Sequence, residues 1–104
     1  MTVFMVETYV VKPEKLSEFT AYKVKWKKFF AKWLKEVKSY KMFTQLFGGN
    51  WGGYVEMWEF ENLAEGEKFF NRVMQSDYTT KLYPEFASLV VPATYTISAW
   101  NPVE

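Results

Sequence analysis

Residues 3–11, VFMVETYVV, place apolar side chains on both alternating faces of what reads as a strand. Val3, Met5, Tyr9 and Val11 point one way and Phe4, Val6 and Val10 the other, because successive side chains of an extended chain alternate. The pattern recurs in residues 40–47, YKMFTQLF, where Met42 and Leu46 oppose Phe43 and Phe47. An antiparallel sheet that is bare on one side carries a polar second face. Strands like these need cover on both sides.

The rest of the chain supplies one of the two covers. From residue 14 to 38, Leu16, Phe19, Tyr22, Trp26, Phe29, Phe30, Trp33, Leu34 and Val37 fall within an arc of roughly 140° at helical spacing, the width of a core-facing helix. Pro13 suits its first turn and Glu14 its positive N-terminus. Gly48-Gly49-Asn50-Trp51-Gly52-Gly53 turns the chain into a third strand, residues 54–60, YVEMWEF. Asn62 followed by Glu65 starts a second helix, Leu63 to about Gln75, with Phe69, Phe70, Val73 and Met74 inward. Ser76-Asp77 breaks it. A further helical piece carries Leu82, Phe86, Leu89 and Val90, with Pro84 interrupting or restarting it. Residues 94–100, TYTISAW, form the last strand. The order β-α-β-β-α-β is the ferredoxin-like arrangement, an α+β fold with a four-stranded antiparallel sheet and helices on one face. A second copy of the chain is the simplest cover for the other face, which makes the protein a homodimer.

With 104 residues the chain is expected to form a single domain. It has no cysteine, hence no disulfide and no thiolate nucleophile, and no histidine, the commonest general base and transition-metal ligand. Chemistry here falls to Glu, Asp, Lys, Tyr, Asn or backbone groups, with no metal and no organic cofactor. No membrane span or signal peptide is legible, so the expected address is cytoplasmic. The charge is split. Residues 1–41 carry ten lysines against Glu7, Glu14, Glu18 and Glu36, and residues 42–104 carry Lys68, Arg72 and Lys81 against eight acids. Such halves can neutralise one another without an external anion. Five Trp, seven Tyr and ten Phe suit either a ring-rich core and interface or a pocket for an apolar ligand.

Glu7 to Phe19, ETYVVKPEKLSEF, resembles the first strand and helix entry of the dimeric α+β barrel superfamily, with Glu14 where that family has Gly. MWEFENLAEGEKFF followed by SDYTTKLYPEFASLV resembles its third strand, second helix and short third helix, most closely in the NIPSNAP-like and antibiotic-biosynthesis-monooxygenase-like branches. The resemblance implies two monomers packing their sheets face to face and a ligand cleft in each, between sheet and helices. It implies several activities, among them cofactor-independent oxidation and isomerisation of small ring compounds. The missing histidine speaks against the haem-handling branches.

The candidate catalytic groups are Glu7, Glu56 and Lys23. Glu7 and Glu56 sit in strands that otherwise read as buried, where a raised pKa makes a carboxylate a base beside a carbonyl; the structural alternative is pairing with a lysine of the first helix. Lys23, at the edge of the apolar arc, either holds a ligand oxyanion, acts as a base, or snorkels to solvent. Tyr9, Tyr22, Lys23, Trp26, Trp58 and Tyr95 are the candidate ligand-binding residues, against the alternative of ordinary core. Glu56, Glu59 and Glu61 are dispersed over two strand faces, which argues against a metal site. GGNWGG lacks the Lys-Ser/Thr ending of a phosphate loop. The lysine-rich helix face reads as solvated, since a membrane would have to use the arc that the sheet needs. Nucleic acid is disfavoured because Glu56 and Glu59 lie on the third strand, where an RNA-recognition sheet carries basic and aromatic residues. The sequence therefore points to a homodimer binding a small apolar or amphipathic molecule, without nucleic acid or membrane, as a cofactor-independent monooxygenase or isomerase. The competing class is a non-catalytic structural dimer.

Overall fold

The expected order of elements is present in the computed structural model, which describes residues 2–32, 34–49 and 51–103. Strand β1, Val3–Val10, lies inside a four-stranded sheet between β3, Gly53–Phe60, and β4, Thr96–Trp100; β2, Val37–Thr44, is the edge beyond β3. All three pairings are antiparallel. Helix α1, Leu16–Phe30, follows a 3₁₀ turn at Pro13–Lys15, and α2, Leu63–Met74, follows the β2–β3 hairpin. A π-helical turn, Tyr78–Leu82, then leads into α3, Tyr83–Leu89. This is the ferredoxin-like α+β fold read from the sequence. No described helix is long and apolar enough to cross a membrane.

The register assigns the faces. Val3 pairs with Phe60, Met5 with Trp58, Glu7 with Glu56 and Tyr9 with Tyr54, and these side chains meet the helices. Phe19, Tyr22, Trp26 and Phe30 of α1 and Phe69 and Val73 of α2 close over them as one buried cluster. Gly66 lets α2 approach the sheet, since a Cβ there would lie 3.3 Å from the Phe60 ring. The opposite face carries Phe4, Val6 and Val10 of β1, Val55 and Met57 of β3, Phe43 of β2 and Trp100 of β4. It stays open in the single chain: Phe43 is 49% and Trp100 58% exposed.

Several boundaries differ from the sequence reading, among them the start of β4, at Thr96 instead of 94. The first helix ends at Phe30 instead of 38, and β2 begins at Val37 instead of 40. The apolar periodicity continues through residues 31–38 without a Gly or Pro stop, so the local pattern favoured a longer helix. Sheet pairing of Val37 with Phe60 and an ion pair between Glu36 and Arg72 hold the segment elsewhere. Leu34 accordingly leaves the core at 42% exposure, and Trp33 lies outside the described residues. Leu46 and Phe47 fall beyond β2, in the hairpin tip, where they are 90% and 87% exposed. The tip turns on Gly48, Gly49 and Gly52, all at positive φ; Asn50 lies outside the described residues. Pro84 sits in the first turn of α3, so it starts a helix. Asn62 caps α2 as expected, its side chain accepting from the Glu65 N–H at 2.9 Å.

The charge split is met in part inside the fold. Lys23–Glu56, Lys25–Glu85, Lys38–Glu61 and Arg72–Glu36 each join the basic half to the acidic half.

Candidate functional site

β1 and β3 bring Glu7 and Glu56 directly opposite each other on the helix-facing side of the sheet. Their surroundings separate them chemically. Glu56 is 4% exposed and both its oxygens accept a bond: Tyr9 donates its O–H to Oε2 at 2.5 Å, Tyr40 donates to Oε1 at 2.5 Å, and the Lys23 ammonium lies 3.4 Å from Oε1. Lys23 itself is 9% exposed and sits 3.4 Å above the Trp26 ring. Burial lowers its pKa, and the charge of Glu56 works against that shift. The Tyr9 and Tyr40 phenols are held above their ordinary range, chiefly by burial and then by Glu56, so they remain donors.

Glu7 faces open space. Its Oε1 accepts from the Trp58 indole N–H at 2.6 Å and its Oε2 from the Tyr95 hydroxyl at 2.7 Å. Burial first, and the charge of Glu56 second, push its pKa up to about 7, against the pull of both hydrogen bonds and of Lys23. It lines a cleft of about 390 Å³ between sheet and helices. Trp58 and Tyr95 flank it on the sheet side, and Trp26 and Phe30 of α1 form one wall. Phe69, Phe70, Val73 and Met74 of α2 form a second wall. Tyr78 of the π-helical turn and Tyr83 and Phe86 of α3 complete it. Met74, Tyr83 and Tyr95 are 59%, 51% and 42% exposed and mark its solvent side. Trp58 organises the wall, its ring centroid 4.5 Å from Tyr40, 5.1 Å from Phe69 and 5.7 Å from Trp26.

Of the sequence candidates, Glu7, Trp26, Trp58 and Tyr95 converge on this cleft, whereas Tyr9, Tyr22, Lys23 and Glu56 do not line it. The latter four are 1–9% exposed. Glu56 and Lys23 take the alternative reading, a carboxylate paired with a lysine of the first helix, and do not offer a free ligand-binding ammonium. Tyr9 is held on Glu56 and packs edge-on against Phe86 at 5.0 Å. Tyr22 is buried, its ring packed against Phe19 and Phe86. Sequence reasoning assigned Phe30, Phe69, Phe70, Val73, Met74 and Phe86 to the core and passed over Tyr78 and Tyr83. The signal for that pair was the break at Ser76-Asp77, since π-helical turns are frequent at functional sites.

A carboxyl half-ionised near neutrality, in an apolar cleft, can take up or release a proton without leaving the physiological range. The described lining residues contribute no lysine or arginine, so they offer an anion no cationic partner.

No family model matches the chain, and no curated protein matches it. Solved structures do. A NIPSNAP family protein from Agrobacterium tumefaciens superposes with a TM-score of 0.80 at 13% identity, covering 100% of this chain and 95% of that one. A NIPSNAP domain protein from Burkholderia xenovorans gives 0.75 at 16% identity, with 99% and 95% covered. An antibiotic biosynthesis monooxygenase gives 0.73 at 14% identity, with 98% and 99% covered. The fold is shared over the full length of these chains, and the resemblance read from the first strand and the two later helices holds at that level.

Proposed function

We propose that the protein binds a small apolar or amphipathic molecule in the cleft between sheet and helices, with Glu7 as the group that exchanges a proton with it. The observation that carries this reading is a single carboxyl, raised to about 7, projecting among rings into a cleft of about 390 Å³. Oxidation or isomerisation without a metal or organic cofactor are the reaction classes that use such a group. In either, Glu7 accepts a proton from a C–H beside a carbonyl. In the oxidative branch the carbanion gives its electron pair to dioxygen to form a C–O bond, and the peroxide takes the proton from Glu7 and loses water to leave a new carbonyl; in the isomerising branch Glu7 returns the proton at another carbon. The fold shared with an antibiotic biosynthesis monooxygenase supports the oxidative branch. A purely structural role would leave the cleft negligible; a cleft of about 390 Å³ supports the ligand-binding reading instead.

The active unit in this reading is a homodimer joined through the open sheet faces. Apolar side chains from all four strands, Phe4, Val6, Phe43, Met57 and Trp100 among them, form a surface of the kind that a second copy covers. Native mass spectrometry of the freshly purified protein, followed by denaturing extraction, tests both parts. The expected result is a dimer that carries a small amphipathic molecule. A clean monomer overturns the dimer, and failure of the protein to bind any small ring compound overturns the ligand reading.

A further inference from the structure

We propose that the cleft selects a cationic ligand: an apolar, ring-bearing amine whose ammonium group sits against the Glu7 carboxylate. The inference rests on the reading of the cleft as a ligand site and adds the charge of what it takes.

The argument is one of charge placement. Among the described residues lining the cleft, the acids and bases are Glu7 and the phenols of Tyr78, Tyr83 and Tyr95. The ammonium that could neutralise Glu7 is committed elsewhere: Lys23 lies 3.4 Å from Glu56, stacks 3.4 Å over Trp26, and does not line the cleft. Each Glu7 oxygen already accepts one bond, from Trp58 and from Tyr95. Both donors are neutral, so they orient the carboxylate without placing a cation against it, and the Lys23 charge acts on it only from its seat on Glu56. Each oxygen keeps a further lone pair for an incoming donor. The walls suit the same ligand. Ring faces attract cations and repel anions, and the fold already uses this contact where Lys23 meets Trp26.

The groups that face Glu7 from each packed element reinforce the choice. Strand β3 supplies Glu56, directly opposite, and β2 supplies the Tyr40 phenol. Tyr95, ahead of β4, donates to Glu7. Helix α1 supplies Lys23, held by Glu56, and the buried Tyr22. Tyr78 and Tyr83 come from the π-helical turn and α3, while α2 lines the cleft with Phe69, Phe70, Val73 and Met74. A ligand carboxylate or phosphate would meet the Glu7 carboxylate and no ammonium or guanidinium among the described lining residues. An ammonium would meet the one carboxylate among the described lining residues and, as a cation in direct contact, would favour its ionised form beyond the pull that Lys23 already exerts.

Three probes of one shape test this: naphthylmethylamine, naphthylmethanol and naphthoate, titrated by calorimetry and by quenching of Trp26 and Trp58 fluorescence. The amine should bind best. If it binds only ionised Glu7, its affinity should rise about tenfold between about pH 6 and about pH 8, because the ionised fraction of a group with a pKa of about 7 rises by that factor. The alcohol should show little pH dependence, and naphthoate should bind weakest. Glu7→Gln should remove the preference for the amine while retaining alcohol binding, which also reports that the variant is folded. If Glu7→Gln does not fold, the pH profile of the native protein decides alone. Equal binding of amine and alcohol at about pH 8, or preference for naphthoate, overturns the cationic-ligand inference and leaves the cleft reading standing. No binding of any probe overturns both.

Discussion

Replacing Glu7 by Gln should stabilise the protein at alkaline pH and do little at acid pH. In the unfolded chain the carboxyl titrates near 4.5, and in the folded protein near 7. Between those values the native state binds the extra proton, so stability is lost as pH rises through that window. Worked through the two values, the loss between about pH 5 and about pH 8 is about 2 to 3 kcal/mol. Gln removes the titration. Its carbonyl can accept from the Trp58 N–H, and the Tyr95 hydroxyl can turn to accept from its amide, so the direct penalty stays at about 1 kcal/mol or less. Urea denaturation of both proteins at one protein concentration and both pH values gives the double difference, which cancels the titrating groups that do not interact with Glu7 and leaves Glu7 with its coupling to Glu56 and Lys23. The variant should gain about 2 to 3 kcal/mol on the native protein in going from acid to alkaline conditions. A stability difference that is the same at both pH values would refute the reasoning, since Glu7 would then titrate as an ordinary surface carboxylate.

Lys23→Met should destabilise by about 3 kcal/mol by leaving Glu56 without its buried counter-charge, and Glu56→Gln in the same chain should restore part of it; a double-mutant cycle with no coupling would sink the buried pair as an energetic unit. Gly52→Ala should cost about 1 to 3 kcal/mol in thermal or urea melts, because Gly52 has φ +83° and a Cβ there would lie 3.0 Å from the Val11 carbonyl oxygen. Met57→Lys, in the middle of the open sheet face, should shift sedimentation from dimer to monomer with the monomer fold intact; an unchanged sedimentation profile would move the interface off this face.

Much of the architecture was legible because it rests on local rules. Alternation in residues 3–11 and 54–60 and helical spacing in residues 16–30 survive any tertiary context that buries them, and Asn62 caps α2 through three residues of chain. The boundary between α1 and β2 was not legible. Residues 31–36 satisfy the helical pattern locally, and what ends the helix is the pairing of Val37 with Phe60 and of Glu36 with Arg72, partners that are distant along the chain.

The same division runs through the site. Residue chemistry alone removed histidine and thiolate catalysis and left Glu7, Glu56 and Lys23 as the groups worth watching. Sequence could not tell the two glutamates apart, since each is a lone acid in an apolar strand. Strand register set them face to face, and the packing of α1 then delivered Lys23 to Glu56 and open space to Glu7. A carboxyl's pKa depends on desolvation and on charges a few ångströms away, and those distances exist only once the sheet and helices have closed around it.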